Sequence, residues 1–178
     1  NATKRFSYNS LAKVVEIKHP DTVKNYLEYI ESTYLLSQVM RFDWSVKKQI
    51  GYQKKVYFID NAIINKVGFN ATDNIGQLLE NLVFIQLKRQ HKEVYYHDNG
   101  VECDFVVRED GHIISAFQVT RSLSDVKTKQ REINGLLSAL NAYNLMEGII
   151  LTADETEELI IERKKINICP IWKWLLQG

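Results

Sequence analysis

Glu80, Asp104, Gln118 and Thr120 are the residues whose types and spacing point to chemistry. Two carboxylates and an amide carbonyl are hard oxygen donors of the kind that hold Mg²⁺ or Mn²⁺, and a metal so held can activate water. Asp104 lies in a strand-like run, residues 101–108, and Gln118 in the next, residues 113–120, across the turn signal Asp110-Gly111. Folding about that turn brings Asp104 within one or two positions of Gln118, and directly opposite if the loop has three residues. Glu80, Asp104 and Gln118 are therefore the candidate catalytic set, with Asp104 and Gln118 as candidate metal ligands. Thr120 carries no ammonium; Arg121, Lys127 and Lys129 follow close behind as substitutes. The alternative is a buried hydrogen-bond network that only fixes the core.

The elements that must position these residues can be read from periodicity. A helix starting at Asp73 or Asn74 and ending near Arg89 places Gln77, Asn81 and Lys88 on a solvent side and Glu80 at the margin, beside Phe84 and Leu87. Strands over residues 93–97, 101–108 and 113–120 follow. In the second, Val101, Cys103, Phe105 and Val107 share one face, and Glu102, Asp104 and Val106 the other. Ser124 can cap a helix with a core stripe of Ile133, Leu136, Leu137 and Leu140. Residues 148–152 and 159–161 read as further strands. The apolar tail, residues 168–176, either docks on the core or offers a surface to another domain.

Residues 1–58 have a different pattern. Ser10 can cap a short helix carrying Leu11, Val14 and Val15, and Asp21 or Thr22 a second, in which Val23, Tyr26, Leu27 and Ile30 form one buried stripe. Strands over 34–39 and 55–59 complete the unit, with Arg41, Lys47, Lys48, Lys54 and Lys55 in or beside their connection. Two helices and a basic hairpin make a winged helix-turn-helix. In such a unit Thr22, Lys24 and Asn25 would face a DNA groove, and Lys47, Lys48, Lys54 and Lys55 the phosphates. Glu28 and Glu31 favour the alternative, in which the unit packs against another domain.

Composition narrows the classes. The chain has 178 residues, 45% hydrophobic and 25% charged, which excludes disordered, collagen-like and rod-like chains. Lys and Arg number 23 against 22 acids, a net charge of +1 that conceals ten against six in residues 1–60 and 13 against 16 in the remainder. Cys103 and Cys169 make neither a disulfide framework nor a zinc motif, and His19, His91, His97 and His112 lack metal spacing. No apolar run approaches the ~20 residues that span a bilayer, and no leader peptide opens the chain, so a cytoplasmic location without membrane contact is expected. A start at Asn1 suggests a piece of something longer.

Several stretches together carry a family resemblance: residues 22–27 (TVKNYL), 55–60 (KVYFID), 76–83 (GQLLENLV), 93–96 (EVYY), 102–106 (ECDFV) and 117–120 (FQVT). The chain resembles the uncharacterised C-terminal region of a prokaryotic AAA-like P-loop ATPase family, in which a winged helix precedes a PD-(D/E)XK nuclease-like domain. The resemblance implies an α/β fold (α+β, mixed sheet) with a winged helix-turn-helix over residues 1–58 and a restriction-endonuclease-like domain over 59–178. Where relatives read Glu-Val-Lys, this chain has Gln118-Val119-Thr120, which implies a degenerate and inactive nuclease-like site. No GxxxxGK[ST] occurs, so ATP belongs to a missing N-terminal domain. The expected function is a DNA-binding and regulatory region, with double-stranded DNA and its own ATPase domain as partners and oligomerisation left open. The rivals are an active nuclease dependent on Mg²⁺ or Mn²⁺, and a module that docks only on its ATPase domain.

Overall fold

The structure, a computed structural model, describes residues 3–67, 75–90 and 93–177. Helix α1 (Tyr8–Val14) starts in a reciprocal capping box between Ser7 and Ser10. Helix α2 (Pro20–Ser32) starts on Pro20, whose missing N–H costs nothing in a first turn. Strands β1 (Leu36–Met40) and β2 (Lys54–Phe58) pair antiparallel, and helix α3 (Val46–Gly51) lies in their connection. The expected stripe of α2 is only partly covered. Val23 is buried, whereas Tyr26 and Ile30 are 54% and 39% exposed. Alternation along β2 sends Lys55 and Tyr57 inward, so β2 covers the large sheet and not the far end of α2.

Helices α4 (Asn61–Val67) and α5 (Ile75–Arg89) lead into a six-stranded mixed sheet. The expected start of α5 at Asp73 or Asn74 lies outside the described residues. Strands β3 (Glu93–Asp98), β4 (Glu102–Glu109) and β5 (His112–Val119) form an antiparallel meander. Helix α6 (Val126–Ala142), capped by Asp125 and not Ser124, crosses to β6 (Glu147–Thr152), which pairs parallel with β5. Strands β7 (Glu157–Ile161) and β8 (Lys164–Pro170) complete the order β3-β4-β5-β6-β8-β7, and the short helix α7 (Ile171–Leu175) follows.

One core lies against α6, with Ile133, Leu136 and Leu140 on Val106, Ile150 and Ile166. The other lies between α5, α7 and β2, with Val83, Phe84 and Leu87 on Tyr57, Phe105 and Ile171. The fold is thus α/β, with layers on both faces of a mixed sheet. No helix is long and apolar enough to cross a membrane among the described residues.

Two irregularities in the meander decide where its side chains point. Between β3 and β4 the pairing passes from Tyr95–Val106 to His97–Cys103, so Asp104 and Phe105 together oppose Tyr96. That is a β-bulge, and it breaks the alternation read from the sequence: Cys103 joins the α6 core and Phe105 the α5 core. Between β4 and β5 the pairing passes from Val107–Ser115 to Arg108–Ile113, so Ile114 is the extra residue. The turn itself is two residues long, Asp110 and Gly111, both at positive φ. Turn plus bulge produce the register that a three-residue loop would have produced.

Candidate functional site

Glu80, Glu102 and Asp104 converge, as the helix–strand order suggested for the first and last of them, but on a side chain from the front of the chain. The Lys55 ammonium lies 2.6 Å from Glu102 Oε1, 3.0 Å from Glu80 Oε1 and 3.2 Å from Asp104 Oδ1. Only 2% of the Lys55 side chain is exposed. The Tyr57 hydroxyl donates to Glu80 Oε1 at 2.6 Å, and its ring stacks on Phe84 with centroids 4.5 Å apart. Strand β2 therefore delivers a cation and a donor, α5 one carboxylate and β4 the other two. Glu102 and Asp104 share a side by ordinary alternation, and the bulge that follows turns Phe105 to that side as well, under the rings of Tyr57 and Phe84.

Asp104 is held from both ends. Its backbone N–H donates to Gln118 Oε1 at 2.9 Å, and its Oδ2 accepts from the Val119 N–H at 3.0 Å. The Gln118 amide nitrogen donates to Glu132 Oε2 at 2.6 Å, and Glu132 is gripped in turn by the Arg131 guanidinium at 2.6 Å. Both ends of the Gln118 amide are thereby engaged, and its carbonyl oxygen is not open to a metal. Close approach of α6 to β4 makes this contact: a Cβ at Gly135 would lie 2.2 Å from the Glu102 carbonyl oxygen.

Charge sets the protonation states. Burial works against the Lys55 ammonium, but Tyr57 and the carboxylates of Asp104, Glu80 and Glu102 outweigh it and hold its pKa well above the usual lysine value. Burial, then the Asp104 charge, raises Glu80 to about 7. One ammonium among three carboxylates leaves an excess of negative charge, and a proton on Glu80 relieves it. The same burial raises the Tyr57 hydroxyl and the Glu132 carboxyl. A cavity of about 590 Å³ lies beside the cluster, lined by Gln77, Gly100, Thr120 and Arg121 as well as the acids.

A divalent ion does not fit this donor set. The Lys55 ammonium occupies the point where the three carboxylates converge, Gln118 is spent on Asp104 and Glu132, and no group of three or more His, Cys, Asp or Glu among the described residues is placed to hold a metal. These residues offer neither Mg²⁺ nor Mn²⁺ an open set of donors. What the cluster does is fasten β2 to the sheet. Tyr96 adds to this by donating its hydroxyl to the Gln53 carbonyl at 2.6 Å, and Arg5 by pairing with Asp98 and, at 3.0 Å, Glu102.

The remaining candidate residues lie apart from the cluster. Lys24 and Asn25 are exposed on α2 and Thr22 is half-buried, with Lys24 3.7 Å from Glu28. Lys47 and Lys48 are exposed on α3. Lys54 and Lys55, expected on phosphates, are 8% and 2% exposed. The Lys54 ammonium donates to the carbonyls of Ile50 and Tyr52, so neither side chain is presented to a phosphate. Asn81, placed on a solvent side by the helical wheel, is buried and bonds both the N–H and the carbonyl of Phe58. Sequence reasoning missed Glu102 and Glu132 as partners. The signal for Glu102 was its position two residues before Asp104 on one strand face; for Lys55 it was the Lys-x-Tyr spacing, which puts it on the same strand face as Tyr57.

Comparison with known proteins places the chain beside others without assigned roles. A family described as "Domain of unknown function (DUF8612)" matches residues 1–74. The chain is 32% identical over 167 residues to "Uncharacterized protein MJ1544" of Methanocaldococcus jannaschii, covering 88% of this chain and 36% of that protein. It is 24% identical over 157 residues to an "Uncharacterized protein" of Haemophilus influenzae, covering 88% of this chain and 37% of the relative. The chain thus spans about a third of the length of the curated relatives it matches. No solved structure matches it.

Proposed function

We propose that this chain is the DNA-binding and regulatory region of a longer prokaryotic AAA-like ATPase, with a winged helix-turn-helix in front of a nuclease-like domain whose site does not turn over. The observation that carries the inactive site is Lys55. Its ammonium stands where Glu80, Glu102 and Asp104 converge, the place a catalytic cation would need. The spatial order of helix Glu, strand Asp, hairpin and Gln-x-Thr supports the nuclease-like reading, and the spent Gln118 amide supports its inactivity. The DNA-binding reading rests on exposed Lys24, Asn25, Lys47 and Lys48 in a front segment that holds ten basic against six acidic residues.

Titrating the chain into labelled duplex DNA at several salt concentrations tests it. Lys47→Ala with Lys48→Ala should weaken binding and reduce the slope of log affinity against log salt by about 1.8, since each phosphate contact contributes ~0.9. An unchanged slope removes the duplex contact. Incubation with plasmid and Mn²⁺ should give no nicking; cleavage that Asp104→Ala abolishes would instead establish the nuclease.

A second reading has its own observation. Many of the exposed large apolar side chains lie between Val14 and Ile59, and an apolar groove of about 430 Å³ runs between Leu11, Val14, Leu27, Leu36, Val56 and Phe58. A module that docks on its own ATPase domain would use such a surface. Co-purification of the two parts, without DNA affinity, would favour it.

A further inference from the structure

Trp44 is 66% exposed, yet its indole is not loose. It stands edge-to-face on Phe42, with centroids 5.0 Å apart and planes at 82°. Phe42 is itself buried and braced by Tyr95 and Tyr143 at 5.3 and 5.5 Å. A T-shaped contact engages one side of a ring, and an indole this exposed keeps a face free to stack. It borders a cavity of about 610 Å³, lined also by Arg41, Lys48, His97, Asn99 and Tyr143, within the range of small-molecule sites.

Two cations, Arg41 and Lys48, line this cavity. Arg41 lies 4.2 Å over the Tyr52 ring, and Lys47 and Lys48 are exposed on α3. Two carboxylates line the cavity as well, each held by donors: Asp43 accepts from the Ser45 N–H at 2.8 Å and the Tyr52 hydroxyl at 3.3 Å, and Asp98 pairs with Arg5. Lys48 lies 3.9 Å from Asp43, at the limit of an ion pair. His97 cannot supply charge at neutral pH, because burial and then Arg41 lower it to about 4.

We propose that this cavity takes an unpaired nucleobase, stacked on the Trp44 indole, while the flanking phosphates lie on Arg41, Lys47 and Lys48. A stacking platform inside a cationic surface is the chemistry that recognises single-stranded nucleic acid without reading its sequence. A protein partner would be served by the exposed Val46 and Ile50, but it would not need cations lining the cavity beside the ring. The inference rests on the DNA-binding reading of the front segment and extends it to unpaired strands.

The test measures the anisotropy of labelled oligo(dT), about 15 nucleotides long, and of a blunt duplex, with wild type, Trp44→Ala and Trp44→Phe. Stacking predicts that Trp44→Ala weakens oligo(dT) binding about tenfold, that Trp44→Phe loses less than about threefold, and that duplex affinity stays within about twofold. Equal binding of oligo(dT) by wild type and Trp44→Ala overturns the inference, as does duplex binding with none to oligo(dT). Oligo(dT) binding that depends on Trp44, without duplex binding, keeps the inference and removes the duplex contact. Binding of neither strand form removes both.

Discussion

Lys55 and Glu80 show how single charges decide what the site can be. Removing the ammonium strands three carboxylates around a buried hole, and breaking a buried ion pair from one side costs about 3–5 kcal/mol. Lys55→Met should lose that much at pH 8 in urea unfolding, and less at pH 5, where the acids take up protons. An equal loss at both would mean that the carboxylates carry no charge strain. Glu80 makes a second prediction. Its carboxyl, raised to about 7 in the fold from an ordinary 4.5, holds a proton that the unfolded chain has released. Stability therefore falls as pH rises through that window, by at most about 1.4 kcal/mol per unit. His97, lowered to about 4, acts in the opposite sense but only below its ordinary 6.5. Between pH 6.5 and 7.5 the decline should be visible in wild type and flattened in Glu80→Gln; parallel curves would contradict it. The residue types were legible in advance, as carboxylates on a helix and a strand. The role of Lys55 was not, because a lysine beside other lysines reads as surface until the strand's inward face is known.

Elements were legible where periodicity speaks, and less so where one residue too many shifts the register. The core stripe of α6, Ile133, Leu136, Leu137 and Leu140, is buried as its spacing predicts. The bulge at Asp104 and Phe105 left no mark in the alternation, because Glu102, Asp104 and Val106 fit an unbroken strand equally well. The contact between α6 and β4 depends on Gly135, where a methyl group would meet a backbone oxygen and the Gln118 amide, at 2.2 and 3.0 Å. Gly135→Ala should therefore cost about 1–3 kcal/mol by overpacking and loosen the Asp104–Gln118 clamp. Gly148→Ala is the comparison, since its Cβ would meet only the side-chain ends of Leu136 and Leu140, from 2.9 Å, and these can turn aside. Thermal unfolding of the two variants checks the order; a larger loss at Gly148 would contradict the account.

At the scale of the molecule, the basic front and acidic back read as two modules, and the structure joins them through the charges that distinguished them. Lys55 and Arg5 of the front pair with Glu80, Asp98, Glu102 and Asp104 of the back, and Asn81 bonds the backbone of β2 at Phe58. Part of the front's positive charge is thus internal, and the cations left for a polyanion are the exposed ones, Lys24 on α2 and Lys47 and Lys48 on α3 among them. That division was illegible in a chain-wide balance of 23 against 22, since charge counts carry no direction. The central claim is that the intramolecular ammonium takes the place of a metal ion. Calorimetric titration of Mn²⁺ into the chain tests it most directly. The account predicts no saturable heat at millimolar Mn²⁺, with wild type and Asp104→Ala alike; one-to-one binding in wild type that Asp104→Ala abolishes would contradict it.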